Sequence, residues 1–110
     1  MVTRHFKRRE LACKCGCGFD VVDIDLVKQL EMLRYHFGKP VIINSGCRCS
    51  EYNKKINGSP KSQHLLGKAA DVVVKDVKAS EVQEYLKDWN GGLGSYDTFT
   101  HIDVGTRRRW

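Results

Sequence analysis

The stretch SQHLLGKAAD, Ser62 to Asp71, sets a histidine and an aspartate seven positions apart with a glycine between them. Imidazole and carboxylate are both metal donors, so the question is whether this spacing can bring them to one ion. On a straight helix, positions i and i+7 lie about 10 Å apart on one face. That is too far for both to reach an ion at ~2 Å. A hairpin turning at Gly67 and Lys68 does better. Leu66 then faces Ala69, Leu65 faces Ala70 and His64 faces Asp71, with opposed Cβ atoms about 5 Å apart. The next run, Asp71-Val72-Val73-Val74, reads as strand. The spacing therefore predicts a hairpin in which His64 and Asp71 share a metal.

A second polar pair lies in THIDV, where alternation puts His101 and Asp103 on one side of a strand and Thr100, Ile102 and Val104 on the other. Catalytic zinc sites commonly take three protein ligands and leave a fourth position for water. His64, Asp71 and His101 make a set of that kind. Each residue alone has an ordinary alternative, a core histidine with its hydrogen bonds satisfied or a turn aspartate; only the combination points to metal. Thiols are a separate source of donors. Five cysteines cluster as CKCGC (Cys13, Cys15, Cys17) and CRC (Cys47, Cys49). Thiolate metal binding competes here with disulfides, and the spacing is C-x-C rather than the C-x₂-C of common zinc knuckles. An odd count leaves one thiol over in a monomer with only internal disulfides. The simplest expectation is that one N-terminal cysteine meets Cys49 and staples the N-terminal arm to the body.

The elements that must position these groups are legible as an α+β pattern, helices flanking a small, mainly antiparallel sheet. Asp23 to Phe37 carries Leu26, Val27, Leu30, Leu33 and Phe37 on one helical stripe, with Gly38 and Pro40 as stop signals. Val41 to Asn44 is a short, β-branched run that reads as a buried strand. Ser50 to Ile56 reads as a short helix before a turn at Asn57 to Pro60. Ser80 and Gln83 stand in capping-box spacing ahead of Val82, Tyr85, Leu86 and Trp89, and Gly91-Gly92 closes that helix. The remainder, to Val104, alternates as a single strand.

Bulk properties bound the rest. A chain of 110 residues is one domain by the usual prior. Residues 1–20 form a basic, cysteine-rich arm. No run approaches 18 apolar residues, so no membrane span is expected, and no apolar segment comes after the basic start, so no signal peptide is expected. The net charge of +6 favours a polyanionic partner, nucleic acid or an anionic cell envelope. Much of the excess sits in Arg4, Lys7, Arg8, Arg9 and in Arg107, Arg108, Arg109, as solvated tails or as binding groups.

Three ordered motifs carry a family resemblance. SQHLLGKAAD resembles the S-x-H-x-x-G-x-A-x-D signature of zinc peptidases of the D-alanyl-D-alanine carboxypeptidase type, INSGCRC their S-G-x-R segment, and THIDV their third-ligand strand. The resemblance runs from about Phe6 to Trp110 and is nearest to the short, single-domain members of bacteriophages and prophages. It implies the compact α+β core shared with other peptidoglycan peptidases and with the zinc domain of hedgehog proteins. It implies Zn2+ on His64, Asp71 and His101, and Arg48 as the residue that contacts substrate and polarises the scissile carbonyl. Its implied partners are peptidoglycan stem peptides, and its implied setting is an enzyme made in the cytoplasm that acts on the cell wall after release or as a virion component.

One position departs from the pattern. Better-studied relatives carry an acid three residues before the last histidine as general base, and here that position is Thr98. Asp103 and Asp97 are the remaining acids. On an extended strand Asp103 lies roughly 7 Å from His101 and Asp97 roughly 13 Å, so distance favours Asp103 as the base, with Asp97 as rival and a role orienting a ligand histidine as the alternative for Asp103. The expected activity is zinc-dependent hydrolysis of a peptide bond in the peptidoglycan stem or cross-link by a monomer. Two other classes compete. One is an inactive zinc-binding relative serving as a wall-binding or structural module. The other is a small nucleic-acid-binding protein, which no standard finger spacing supports.

Overall fold

Asp23 opens the longest helix of the computed structural model, which describes residues 3–59 and 62–110. Its carboxylate accepts from the Asp25 and Leu26 amides, and Gly38, at φ 63°, closes the helix with its N–H on the Arg34 carbonyl. This helix is α2 (Ile24–Phe37); it comes after one turn of helix, α1 (Arg8–Leu11). Then come β1 (Val41–Ser45), α3 (Ser50–Lys55), a 3₁₀ turn (Gln63–Leu66), β2 (Ala69–Val74), α4 (Ala79–Tyr85), β3 (Gly92–Ser95), β4 (Thr100–Asp103) and β5 (Arg108–Arg109). Pro60, the end of the expected turn after α3, lies outside the described residues. Among the described residues, no helix is long and apolar enough to cross a membrane.

The strands form one sheet in the order β1-β2-β4-β3-β5. Every pairing is antiparallel except β3 with β5, which is parallel. The α+β expectation therefore holds. Strand periodicity divides the sheet into two faces. Val41, Ile43, Ala70, Val72, Val74, Leu93 and Ile102 share one apolar cluster with Leu26, Val27, Leu30 and Leu33 of α2 and with Val82 and Leu86. Burying one such side chain contributes about 1.5–3 kcal/mol. The alternate positions Asp71, His101 and Asp103 fall on the opposite face, and a register slip in β1 sets Ser45 against Asp71 there.

Register aligns that second face. Asp71 pairs with His101 and Ala69 with Asp103, while Gly92 and Gly94 stand opposite Asp103 and His101 on the other flank. The two glycines supply room. A Cβ at Gly92 would overlap the Asp103 carboxylate, and one at Gly94 would lie 2.7 Å from the Trp110 ring. Between Ile43 and Ser45 the β1–β2 register slips, so that Ser45 stands against Asp71. A bulge of this kind bends the strand and re-aims the residues beyond it.

Several expectations are corrected. Val41 to Asn44 is an edge strand, alternately buried, with Ile42 half exposed. Ser80 lies inside α4, whose N-cap is Lys78 with no side-chain cap, so the expected capping box is absent. Helix α4 ends at Tyr85, and Gly92 begins a strand instead of closing a helix. The single strand expected up to Val104 is a hairpin. Tyr96 to Phe99 form its turn, with the Tyr96 N–H on the Phe99 carbonyl at 3.3 Å. Ser95, Asp97 and Thr98 favour a turn through side-chain bonding to nearby backbone, which outweighs alternation. The C-terminal arginines are not loose tails: Arg107 donates to the Trp89 carbonyl at 2.8 Å and Arg109 to the Gly91 carbonyl at 2.6 Å.

Candidate metal centre and cleft

His64 and Asp71 do meet, but not across a hairpin. Residues Gln63–Leu66 form a 3₁₀ turn, N-capped by the Ser62 hydroxyl, which accepts from the His64 amide at 3.1 Å. Gly67 ends the turn at φ 67°, a left-handed conformation that costs glycine little. A Cβ there would also collide with the Val21 carbonyl. The signature serine and glycine thus shape the turn that aims the histidine. The expected hairpin failed because Gly67 serves as a helix cap, and β2 finds its partners in β1 and β4.

Each ring has its far nitrogen tied down. His64 Nδ1 lies 2.5 Å from the Gly46 carbonyl oxygen, which can only accept, so Nδ1 carries the proton. His64 Nε2 then presents a lone pair to Asp71 Oδ1 at 3.3 Å. In His101 the order is reversed. Nε2 donates to Asp103 Oδ2 at 2.8 Å, and Nδ1 faces Asp71 Oδ1 at 2.9 Å. Two imidazole lone pairs therefore converge on one carboxylate oxygen. Acceptors so placed need a cation between them, either a proton on a ring or a metal ion. The donor atoms of His64, Asp71 and His101 lie within 4.8 Å of one another. Nitrogen and oxygen donors at such a spacing, with the outer ring nitrogens engaged, fit zinc.

The local charges respond to that convergence. Burial pushes the Asp71 carboxyl up, but where a ring proton serves as that cation, hydrogen bonds from His101 and His64 and their charges outweigh it and hold the group well below the usual carboxylate range. Burial likewise opposes charge on His101, yet Asp103 and Asp71 raise it above its ordinary value. Asp103 is pushed up by burial and pulled down further by His101, the Gly105 amide and Arg108, for a net lowering.

Arg48 flanks the set. Its Nη2 donates to Asp71 Oδ2 at 3.2 Å, Nε to Ser45 Oγ at 3.1 Å and Nη1 to Asn53 Oδ1 at 3.3 Å. Arg48, His64, Asp71 and His101 line a cleft of about 710 Å³, walled by Tyr96, Phe99, Arg108 and Trp110.

The two candidate bases fare differently from expectation. Asp97 is exposed on the β3–β4 turn and lines a separate hollow with Lys78 and Gln83, because the hairpin turns it away from His101. Asp103 stands behind His101 at 0% exposure. Its oxygens accept from His101, from the Gly92 and Gly105 amides at 3.1 and 3.0 Å and from Arg108 at 3.1 Å. Its geometry is that of a group orienting His101, the alternative to a general base, because no oxygen is left facing the cleft. Thr98 is exposed on the same turn as Asp97.

Sequence reasoning missed Asn53, which is buried, accepts from Arg48 and donates to the Ser59 carbonyl at 2.8 Å. It also missed Trp110, and named Arg108 only among a run of basic residues that could be tails or binding groups. The Trp110 ring lies 5.0 Å from His101 and 4.9 Å from the Arg108 guanidinium. A polar residue in a short amphipathic helix and an aromatic at the end of a basic run were the available signals, and both have ordinary readings.

Fold and site together define a candidate metal centre, an aspartate and a histidine on one face of a small sheet and a second histidine brought to them by a 3₁₀ turn. Residues 4–103 match the peptidase M15 family, and the chain belongs to that family. The three donors of that centre are ones that can hold a zinc ion. The chain is also 26% identical, over 89 residues, to the zinc D-Ala-D-Ala carboxypeptidase of Streptomyces albus G. That match takes in 74% of this chain and 35% of the relative, so the chain spans about a third of that protein's length.

Proposed function

We propose that the protein hydrolyses a peptide bond in the stem or cross-link of peptidoglycan, using zinc on His64, Asp71 and His101. The observation that carries this is the convergence of both histidine lone pairs on Asp71 Oδ1 at the floor of an arginine-flanked cleft. When bound, zinc supplies a Lewis acid that activates water and polarises the carbonyl. The chain's own residues do the rest. Gly46 and Asp103 hold the two rings by their outer nitrogens, which fixes tautomer and direction. Arg48 holds Asp71 by its second oxygen and stands where it can meet a developing oxyanion or a substrate carboxylate. Arg108 adds a second cation to the wall, and Tyr96, Phe99 and Trp110 give an apolar rim for a peptide backbone. Two cations beside a metal suit a substrate rich in carboxylates, as stem peptides are. The curated relative, named for D-Ala-D-Ala carboxypeptidase activity, supports the same substrate class. Such an enzyme would act on the wall after release from the cytoplasm or as part of a virion.

A second reading, a zinc-binding relative without catalysis, has one observation in its favour. Among the described residues lining the cleft, Asp71 is the one carboxylate, and its oxygens already face Arg48 and the two histidines. Digesting purified peptidoglycan and identifying new termini by mass spectrometry separates the two. New amino and carboxyl termini at one stem position support hydrolysis and name the bond. An unchanged fragment pattern from zinc-loaded protein favours the inactive reading.

A further inference from the structure

The N-terminal arm has little to hold it by burial. Residues 14–18 are exposed, and Cys13 is the buried side chain of that loop. The backbone is nonetheless closed on itself, with the Cys13 N–H on the Phe19 carbonyl at 2.7 Å and the Gly16 N–H on the Cys13 carbonyl at 3.3 Å. Gly16 and Gly18, at φ 81° and 88°, provide the left-handed steps this needs. The effect is to gather three successive thiols beside Cys49 at the start of α3.

The sulfurs are set at a particular spacing. Cys13 Sγ lies 3.4 Å from Cys15 Sγ and 3.8 Å from Cys49 Sγ, and Cys15 Sγ lies 3.7 Å from Cys49 Sγ. With Cys17, all four lie within 4.8 Å of one another. A disulfide would need about 2.05 Å between one pair. A tetrahedral zinc with Zn–S near 2.3 Å sets its sulfurs about 3.8 Å apart along each edge. An iron–sulfur cluster, which places sulfides between its metals, holds cysteines farther apart than this. Two backbone amides also point at the sulfurs: Cys49 N–H at Cys13 Sγ and Tyr52 N–H at Cys49 Sγ, each 3.4 Å. Such donors favour the thiolate, the form a metal requires. Cys47 stands apart, its thiol on the Phe19 carbonyl at 3.0 Å. That division explains the odd cysteine: four ligands and one buried packing residue.

We infer that Cys13, Cys15, Cys17 and Cys49 hold a second, structural zinc ion that clamps the 13–19 loop to the N-terminus of α3. Binding releases four thiol protons to solvent and leaves a tetrathiolate centre of net charge −2, on a chain whose formal charge is otherwise +6. The clamp stands next to the cleft. Cys49 is the residue after Arg48, whose own N–H bonds the His64 carbonyl at 2.9 Å. Zinc at the cysteines therefore fixes the backbone from which Arg48 reaches Asp71. Small domains with limited cores commonly use such a metal in place of buried area. The clamp does not depend on whether the His64 centre is catalytic.

The test is metal analysis of the chain purified under reducing conditions, with cobalt substitution as a second readout. The parent should carry about two zinc ions. A Cys15→Ser/Cys17→Ser double variant and a His101→Ala variant should each carry about one, and their combination close to none. Cobalt-loaded parent and His101→Ala protein should show intense thiolate-to-cobalt charge-transfer absorption, which the double cysteine variant lacks. Cys15 and Cys17 are exposed, so their replacement does not disturb the core; Cys47→Ala, outside the set, should retain both ions. The inference is overturned if the double variant keeps the parent's zinc content, if cobalt protein shows no thiolate band, or if the freshly purified chain has the mass of a disulfide-linked form. Loss of zinc from the parent that tracks only His101 would likewise overturn it without touching the peptidase reading.

Discussion

Asp103 accepts a hydrogen bond from His101 Nε2 at 2.8 Å while remaining wholly buried, so it reaches the cleft only through the histidine it holds. Replacing Asp103 by Asn removes the charge that orients the ring and brings an NH₂ group among four donors. Loss of such an outer partner typically weakens metal binding about 10- to 100-fold, and an unsatisfied buried donor costs about 1–3 kcal/mol. Asp103→Asn should therefore lose zinc to a competing chelator more readily than the parent and unfold at lower temperature. Parental zinc affinity with abolished hydrolysis would return Asp103 to the role of general base. Asp97→Asn should be close to silent in both readouts.

Arg48 uses three separate nitrogens on Asp71, Ser45 and Asn53. A lysine ammonium is a point donor on a flexible stem and cannot reproduce that fork. Arg48→Lys should cut hydrolysis of stem peptides on the order of a hundredfold or more, with zinc content near the parent's. Measured turnover equal to the parent would remove Arg48 from the site.

Gly92 and Gly94 differ in what a side chain would meet. At Gly92 a methyl group runs into the fixed Asp103 carboxylate, and at Gly94 into the partly exposed Trp110 ring, which can swing aside. Gly92→Ala should cost about 1–3 kcal/mol in denaturant unfolding, and Gly94→Ala less. Equal costs, or none at Gly92, would contradict the packing described.

The arm is also tied to α2 by Glu31, which accepts from the His5 amide at 2.8 Å and meets its ring at 2.6 Å. Burial pushes the Glu31 carboxyl up, and the Thr3 side chain and then the His5 contacts hold it below its ordinary value of 4.5. A lowered carboxylate contributes stability that is present above the unfolded value and is lost as pH falls through the folded one. Glu31→Gln should therefore be less stable than the parent near neutrality, with the gap in thermal midpoint closing below about pH 4.5. A gap independent of pH would mean the charge plays no part.

Much of the site was legible because its parts are local. The apolar stripe of α2, the S-x-H-x-x-G-x-A-x-D signature and the alternation around His101 each depend on near neighbours, and all three survive in the fold. What failed was tertiary. Gly67 could turn a hairpin or cap a 3₁₀ turn, and the pairing of β2 with β1 and β4 decides for the cap. The stretch from Leu93 to Val104 alternates well enough for one strand, and the pairing of Gly92–Ser95 with Thr100–Asp103 makes it two. Asp97 was lost as a site residue for that reason. Trp110 reaches the cleft from a distant segment and Asn53 supports Arg48 from a buried position outside the lining, and no spacing in the chain announces either.

The decisive measurement is hydrolysis of a cross-linked stem peptide before and after zinc removal. The parent should cleave, stop when chelator strips the metal, and recover when zinc is returned. His64→Ala and His101→Ala should stay inactive at the same added zinc, while the cysteine pair Cys15→Ser/Cys17→Ser should still bind zinc at the histidines. Cleavage that persists in metal-free protein, or at parental rate in both histidine variants, would contradict a zinc centre built on His64, Asp71 and His101.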